Sequence, residues 1–131
     1  MTNRNKVKGD RFEREHIDFA RGNGFPGAER TRAGYERDGG DGHLDPTVGM
    51  SPGVISQCKN WASTNWRKWL ADLEDQIRNA GAEFGFLVIK RRGIADPGEQ
   101  LAVMKVKHIM RLLRRAGYGQ PLDDEETAGG R

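Results

Sequence analysis

The chain has 131 residues and a mass of 14.7 kDa, the size of one domain with one hydrophobic core. Charged residues make up 31% of it, the mean hydropathy is −0.81, and no stretch approaches the roughly 18 apolar residues of a membrane span, which excludes a membrane-spanning protein. The polar N-terminus lacks the apolar segment of a secretory signal, and Cys58 is the only cysteine. We therefore expect an intracellular, cytoplasmic protein without disulfides or a cysteine-rich zinc site.

The charges are unevenly distributed along the chain. Residues 1–117 hold 21 of the 22 lysines and arginines but only 15 of the 19 acids, a net charge of +6. Residues 118–131 hold four acids and one arginine, a net charge of −3. A basic body favours an anionic partner such as nucleic acid. The sequence predicts a single domain over residues 1–117, followed by an acidic, disordered tail over residues 118–131.

The first predicted helix spans Gly9–Arg21 and carries a carboxylate on its apolar face. At about 100° per residue, its apolar face comprises Phe12, His16, Phe19 and Ala20, with Ile17 at the edge. Glu13 falls inside the same arc. A buried carboxylate needs a partner or a metal ion, so Glu13 is a candidate ligand. The alternative is that Glu13 lies at the rim and reaches solvent.

The second predicted helix is the most regular element. Its apolar residues recur at helical spacing, at Trp66, Trp69, Leu70, Leu73, Ile77 and Ala80. Ser63, Thr64 or Asn65 can cap its start, and Gly81 can end it.

Strands are predicted on both sides of this helix. The clearest are Gly53–Lys59, Phe84–Lys90, whose continuous apolar run predicts burial on both faces, and Leu101–Val106. Weaker strand patterns occur near Ala28–Arg32 and Leu44–Val48, and a basic helix is predicted over His108–Arg115. The glycine-rich run Asp38–Gly42 is predicted to be loop. The order α-β-β-β-α-β-β-α, with a helical crossover between strands, predicts an α/β protein with a mixed central sheet flanked by helices.

A cluster of polar residues surrounds the strand Gly53–Lys59. Because side chains alternate along a strand, Gln57 and Lys59 share one face. Asp45 precedes Gln57 by 12 residues. Two such oxygen ligands can hold a hard cation such as Mg²⁺, and a neighbouring lysine can orient a water that attacks phosphorus. Glu13 could complete the ligand set.

These residues resemble the PD-(D/E)xK nuclease superfamily, and within it the archaeal-type Holliday junction resolvases and their phage-encoded relatives. The resemblance covers residues 8 to 93, and the order and spacing of its short motifs give it weight. The matching segments are Lys8–Glu15, with its Lys-Gly and Glu-Arg-Glu, then Gly24-Phe25, Arg32-Ala33-Gly34, Asp45, Gln57-Cys58-Lys59, and Phe84–Lys90 with Arg91-Arg92-Gly93.

The resemblance implies a restriction-endonuclease-like fold and a Mg²⁺-dependent DNA endonuclease, with Mn²⁺ as a substitute metal. It implies a homodimer that cuts four-way junctions, in a host cytoplasm if the chain is phage-encoded. The implied catalytic residues are Lys59, Glu13, Asp45 and Gln57, and the implied metal ligands are Asp45, Gln57, Glu13 and the backbone carbonyl of Cys58. The implied phosphate contacts are Arg14 and Arg32. Further candidates for DNA contacts are the consecutive basic residues at the end of a strand, Lys90, Arg91 and Arg92. Trp61 is a candidate because its ring can stack on a base.

Several alternatives remain open at this stage. The family usually has glutamate at Gln57, and the amide removes one negative charge from the metal site. The acid of the site is Asp41 or Asp45, and the shorter gap to Gln57 favours Asp45. The Cys58 thiol is expected to be a small core group, and His43 a solvated loop residue. The alternative functions are a nuclease of the same fold that acts on other DNA structures or on RNA, and a DNA-binding module without catalysis.

Overall fold

A computed structural model describes residues 4–30, 42–44 and 53–122. Its elements are, in chain order, α1 (Arg4–Gly22), β1 (Glu29–Arg30), β2 (Gly42–His43), β3 (Val54–Lys59), α2 (Trp66–Ala80), β4 (Phe84–Ile89), a 3-10 turn (Pro97–Glu99), β5 (Leu101–Val103) and α3 (Val106–Arg115). Within these ranges, no helix is long and apolar enough to cross a bilayer.

The five strands form one mixed sheet in chain order. β1, β2 and β3 are antiparallel neighbours, β3 and β4 are parallel, and β5 is antiparallel to β4. Two parallel neighbours need a long crossover, which α2 provides. The prediction of an α/β protein with a mixed sheet is confirmed.

α2 covers one face of the sheet. Its Trp69 and Leu73 pack with Ile55 of β3 and Leu87 of β4, both fully buried. The predicted ends are confirmed, because the Asn65 side chain accepts a hydrogen bond from the Lys68 amide and Gly81 has the left-handed φ of 68°.

α1 covers the other face, where Ile17 and Ala20 pack with Ala28 and Leu44. Ile17 is 3% exposed and Phe19 is 37% exposed, so the sequence-based placement of Ile17 at the edge of the apolar face was wrong. The buried arc is rotated towards Ile17 because this residue packs against Ala28 and Leu44. α1 also begins at Arg4 rather than Gly9, since polar residues of good helix propensity extend it.

Three other boundaries differ from the prediction. β2 is Gly42–His43, before the predicted Leu44–Val48, of which residues 45–48 lie outside the described ranges. Gly42 lies in this strand rather than in a loop, and a Cβ there would be 2.8 Å from both Ile17 Cδ1 and Ser56 Oγ, so a larger residue would force one of these side chains to shift. β5 ends at Val103 and α3 begins at Val106, because extended Lys105 starts the helix.

α3 is attached to the body of the protein through its polar side. Lys105 Nζ lies 2.8 Å from Glu74 Oε1 of α2, and Arg111 and Arg115 pair with Glu83. Its apolar side chains Val106, Ile109, Met110, Leu112 and Leu113 are exposed. Ion pairs therefore fix the position of this helix.

His16 connects α1 to the centre of the sheet. Its Nε2 lies 3.0 Å from Oγ of the fully buried Ser56, and its ring contacts Phe86 edge to face. Burial disfavours the charged imidazolium and lowers the pKa of His16 below its ordinary 6.5. The folded protein therefore holds His16 neutral at neutral pH.

This buried histidine predicts a loss of stability in mild acid. As the pH falls below 6.5, the unfolded chain takes up a proton at His16 that the folded chain resists, so the free energy of unfolding decreases. Urea unfolding between about pH 7.5 and 5 should show a steeper loss for the wild-type protein than for His16→Gln, which does not titrate. An identical pH dependence in both proteins would contradict this assignment.

Candidate functional site

A cavity of about 510 Å³ lies between the N-terminal half of α1 and the end of β3. α1 contributes Lys8, Gly9, Phe12 and Glu13; β3 contributes Gln57, Cys58 and Lys59; the following loop contributes Asn60, Trp61, Ala62 and Ser63. The structure thus brings together four residues that the sequence predicted as a site: Glu13, Gln57, Cys58 and Lys59.

Strand alternation determines how these side chains reach the cavity. Ser56 faces α1, where it contacts His16, so Gln57 and Lys59 belong to the face that α2 covers. Glu13 comes from the helix on the opposite face. The cavity is nevertheless lined from both faces, by Glu13 of α1 and by Gln57 and Lys59 at the end of β3.

Lys59 is positioned by an aromatic ring. Its Nζ lies 5.5 Å from the ring centroid of Trp69, within the range of a cation–π interaction. The side chain is partly buried and lines the cavity. The ammonium group therefore lies against Trp69 of α2.

Gln57 presents an oxygen that no neighbour satisfies. Its Oε1 is buried and accepts no hydrogen bond from any residue that the structure describes. A buried acceptor without a donor costs about 1–3 kcal/mol. Because Gln57 also lines the cavity, a small rotation of its amide would offer this oxygen to a cation, a water or a donor on a ligand.

Glu13 has a partner that the sequence interpretation missed. Its Oε2 lies 2.6 Å from Nη2 of Arg30, which also lies 3.3 Å from Asp10 Oδ1. The hydrogen bond that Arg30 donates to Glu13 raises the pKa of Arg30 above its ordinary value. The Glu13 side chain is 22% exposed, so this carboxylate is partly buried, as predicted, and held by an arginine.

The sequence contained a pattern that could have identified Arg30 as a partner of the site. Arg30 and Arg32 are two residues apart in the predicted strand Ala28–Arg32 and would share a face. The resemblance selected Arg32, which lies outside the described residues, as do Asp41 and Asp45. Arg30 is the arginine that the structure places beside Glu13.

The backbone of Cys58 is directed to the cavity edge. The Lys59 carbonyl accepts from Lys90 N on the β4 side, at 3.0 Å, and the Val54 carbonyl accepts from Leu44 N on the β2 side, at 3.0 Å. Carbonyl directions alternate along a strand, so the Cys58 carbonyl points to the β2 side with that of Val54. This direction is compatible with the carbonyl ligand that the resemblance implies.

The remaining predicted DNA contacts have different surroundings. Trp61 lines the cavity and is 69% exposed, while Arg14 is exposed on α1. Lys90 Nζ donates to the carbonyls of Arg91 and Ile94, so this lysine braces its own loop.

Arg91 braces the same loop. Its Nη1 donates to the Glu99 carbonyl at 3.0 Å, and its backbone N–H donates to Gln100 Oε1. Arg92 is exposed at the turn. A contact of these three basic residues with phosphate stays a prediction.

The described donors are compatible with a hard cation but do not form a complete site. Glu13, Gln57 Oε1 and the Cys58 carbonyl are oxygen ligands of the kind that Mg²⁺ prefers. Among the described residues, no three His, Cys, Asp or Glu side chains form a metal-binding group. A cation here would need a further acid, which the sequence places at Asp41 or Asp45.

No family model matches the sequence, and neither a curated protein nor a solved structure matches it.

The Glu13–Arg30 pair predicts a measurable coupling. In a double-mutant cycle of Glu13→Gln and Arg30→Gln, we expect a coupling free energy of about 1 kcal/mol in urea unfolding, because the pair is partly shielded from water. The Arg11–Glu15 pair on the same helix, with side chains 78% and 37% exposed, is the matched control and should couple by less than about 0.5 kcal/mol. Equal couplings would show that Arg30 does not hold Glu13.

Proposed function

We propose that the protein is a divalent-metal-dependent DNA endonuclease that hydrolyses phosphodiester bonds, with four-way junctions as substrate. One observation carries the proposal: Gln57, with its orphan buried oxygen, and Lys59 line a single cavity together with Glu13. The mixed sheet with a helix on each face supports a restriction-endonuclease-like fold. A homodimer, which would supply one site for each of two strands, is part of the proposal.

In this proposal, each group of the cavity has a defined task. Glu13, Gln57 and the Cys58 carbonyl would hold the metal, which when bound lowers the pKa of water and stabilises charge on the phosphate. Lys59, fixed over Trp69, would orient the attacking water and bind a phosphate oxygen. The exposed ring of Trp61 at the mouth of the cavity would stack on a base.

The acid that would complete the site is proposed from its neighbours in the chain. Gly42, the residue after Asp41, pairs with Ser56, next to Gln57. Leu44, the residue before Asp45, donates to the Val54 carbonyl at the start of β3. Consecutive Cα atoms are about 3.8 Å apart, so covalent geometry favours Asp41 over the predicted Asp45. Asp41→Asn and Asp45→Asn, compared in the cleavage experiment below, decide between them.

A second candidate function is a DNA-binding module without catalysis. Two observations favour it: Gln57 contributes no negative charge, and the charge of Glu13 is compensated by Arg30. Both features weaken the attraction of the cavity for a divalent cation. Such a module would bind DNA equally well in EDTA and in Mg²⁺.

Cleavage of a labelled four-way junction tests the proposal. The same strands as linear duplex and as single strand are incubated in parallel, with Mg²⁺, Mn²⁺ or EDTA. We expect paired, metal-dependent nicks in the junction, and a loss of at least about 100-fold in Lys59→Ala, because this lysine acts on the reacting water and phosphate. Lys68→Ala is the matched control, since Lys68 pairs with Asp72 on the surface of α2.

The possible outcomes separate the candidates. Cleavage of linear or single strands at the same rate would indicate a nuclease that is not selective for junctions. Binding in EDTA without any cleavage would establish the binding module. Wild-type activity in Lys59→Ala would remove this cavity as the catalytic site.

Gln57→Glu should preserve or increase cleavage. The substitution restores a carboxylate beside Lys59 and should tighten the apparent affinity for Mn²⁺, because a carboxylate binds a hard cation more strongly than an amide. Gln57→Leu, which removes the oxygen at similar volume, should lose activity. A complete loss in Gln57→Glu, with urea stability unchanged, would show that the amide itself makes a required contact.

A further inference from the structure

A second cavity, of about 300 Å³, adjoins the candidate catalytic cavity. The two cavities share three wall residues: Lys8, Phe12 and Asn60. Lys8 and Phe12 come from α1, and Asn60 directly follows β3. The two cavities are therefore neighbours, together called the groove here, and Lys8 lies in the wall that they share.

The groove crosses the carboxyl ends of two parallel strands. The Lys90 amide, just after β4, donates to the carbonyl of Lys59, the last residue of β3, at 3.0 Å. The loop after β4 then supplies Gly93, Ile94 and Ala95 to the second cavity. The carboxyl edge of parallel strands is where open α/β sheets bind their ligands.

The second cavity is electropositive. Among the described residues, three cations line it, Lys8, Arg11 and Lys90, against one carboxylate, that of Glu15. Two of these cations already have partners. Arg11 Nε lies 2.9 Å from Glu15 Oε1, and Lys90 Nζ donates to backbone carbonyls of its own loop. Lys8 makes no hydrogen bond or ion pair with any residue that the structure describes, so its ammonium group is available to an anionic ligand.

We propose that the second cavity binds a backbone phosphate of the nucleic acid, adjacent to the phosphate in the catalytic cavity, and that Lys8 is its principal contact. In this proposal, consecutive phosphates of one strand occupy the two neighbouring cavities, which share Lys8, Phe12 and Asn60. Lys8 thereby positions the strand that crosses Lys59. This inference rests on DNA binding by the proposed function and does not require cleavage.

The salt dependence of DNA binding tests the inference independently of catalysis. The anisotropy of a labelled four-way junction is measured in EDTA at salt concentrations between about 50 and 200 mM, where each phosphate contact contributes about 0.9 to the slope of log K against log salt. We expect Lys8→Gln to lower the magnitude of this slope by about 0.9. The affinity of the variant relative to the wild-type protein should therefore rise about threefold as the salt concentration increases across this range. Lys8→Arg should restore the slope, because it restores the charge.

Lys6→Gln is the matched control. Lys6 is exposed on the same helix and lines neither cavity, and two residues of an α-helix are about 200° apart, so it points away from Lys8. An unchanged slope in Lys8→Gln, or an equal change in Lys6→Gln, would overturn the phosphate site and leave the proposed nuclease intact. Reduced slope without cleavage in Mg²⁺ would support the phosphate site and reject the nuclease. No binding of any nucleic acid by the wild-type protein would overturn both.

Discussion

The parallel pairing of β3 with β4 is the constraint on which the candidate site depends. Six residue pairs join the two strands, and Ile55 and Leu87 beneath α2 are fully buried. Because the strands are parallel, their carboxyl ends meet at one edge, and the polar residues that follow each strand meet there as well. Both cavities lie at this edge. A hairpin in place of the α2 crossover would have put Lys59 and Lys90 at opposite ends of the sheet.

The charge balance of the candidate site follows from two local arrangements. Arg30 neutralises Glu13, and Gln57 supplies an oxygen without charge. Lys8 and Lys59 then leave the first cavity positive among its described residues. A cation would meet a weaker attraction here than in a site with several free carboxylates, whereas a phosphate would be attracted directly. The described charges of this cavity therefore favour an anion over a cation.

Basic residues have two distinct roles in this protein. Lys90 and Arg91 stabilise the loop between β4 and β5 through hydrogen bonds to its carbonyls. Arg111 and Arg115 attach α3 through Glu83. The number of basic residues in the sequence is therefore larger than the number whose charge is available to an anionic partner. Lys8 differs from these structural cations because its side chain lines both cavities and pairs with none of the described residues.

The sequence by itself determined the elements whose local signals agree. α2 was predictable with both caps, because helical periodicity, an Asn65 cap and Gly81 coincide, and the continuous apolar run of β4 predicted a strand buried on both faces. Alternation along β3 also predicted that Gln57 and Lys59 share a face. These features depend on residues a few positions apart, whose backbone preferences act within the same element.

Only the tertiary structure decided which distant groups meet. Arg30 lies 17 positions from Glu13, and no periodicity relates them, so their ion pair appears only when β1 docks beside α1. Gly42, which was predicted to lie in a loop, belongs to a strand because it pairs with Ser56 of β3. The internal hydrogen bonds of Lys90 and the position of Lys8 between two cavities depend likewise on how the ends of β3 and β4 meet α1. These contacts depend on how whole elements pack together. The sequence of a single element does not specify that packing.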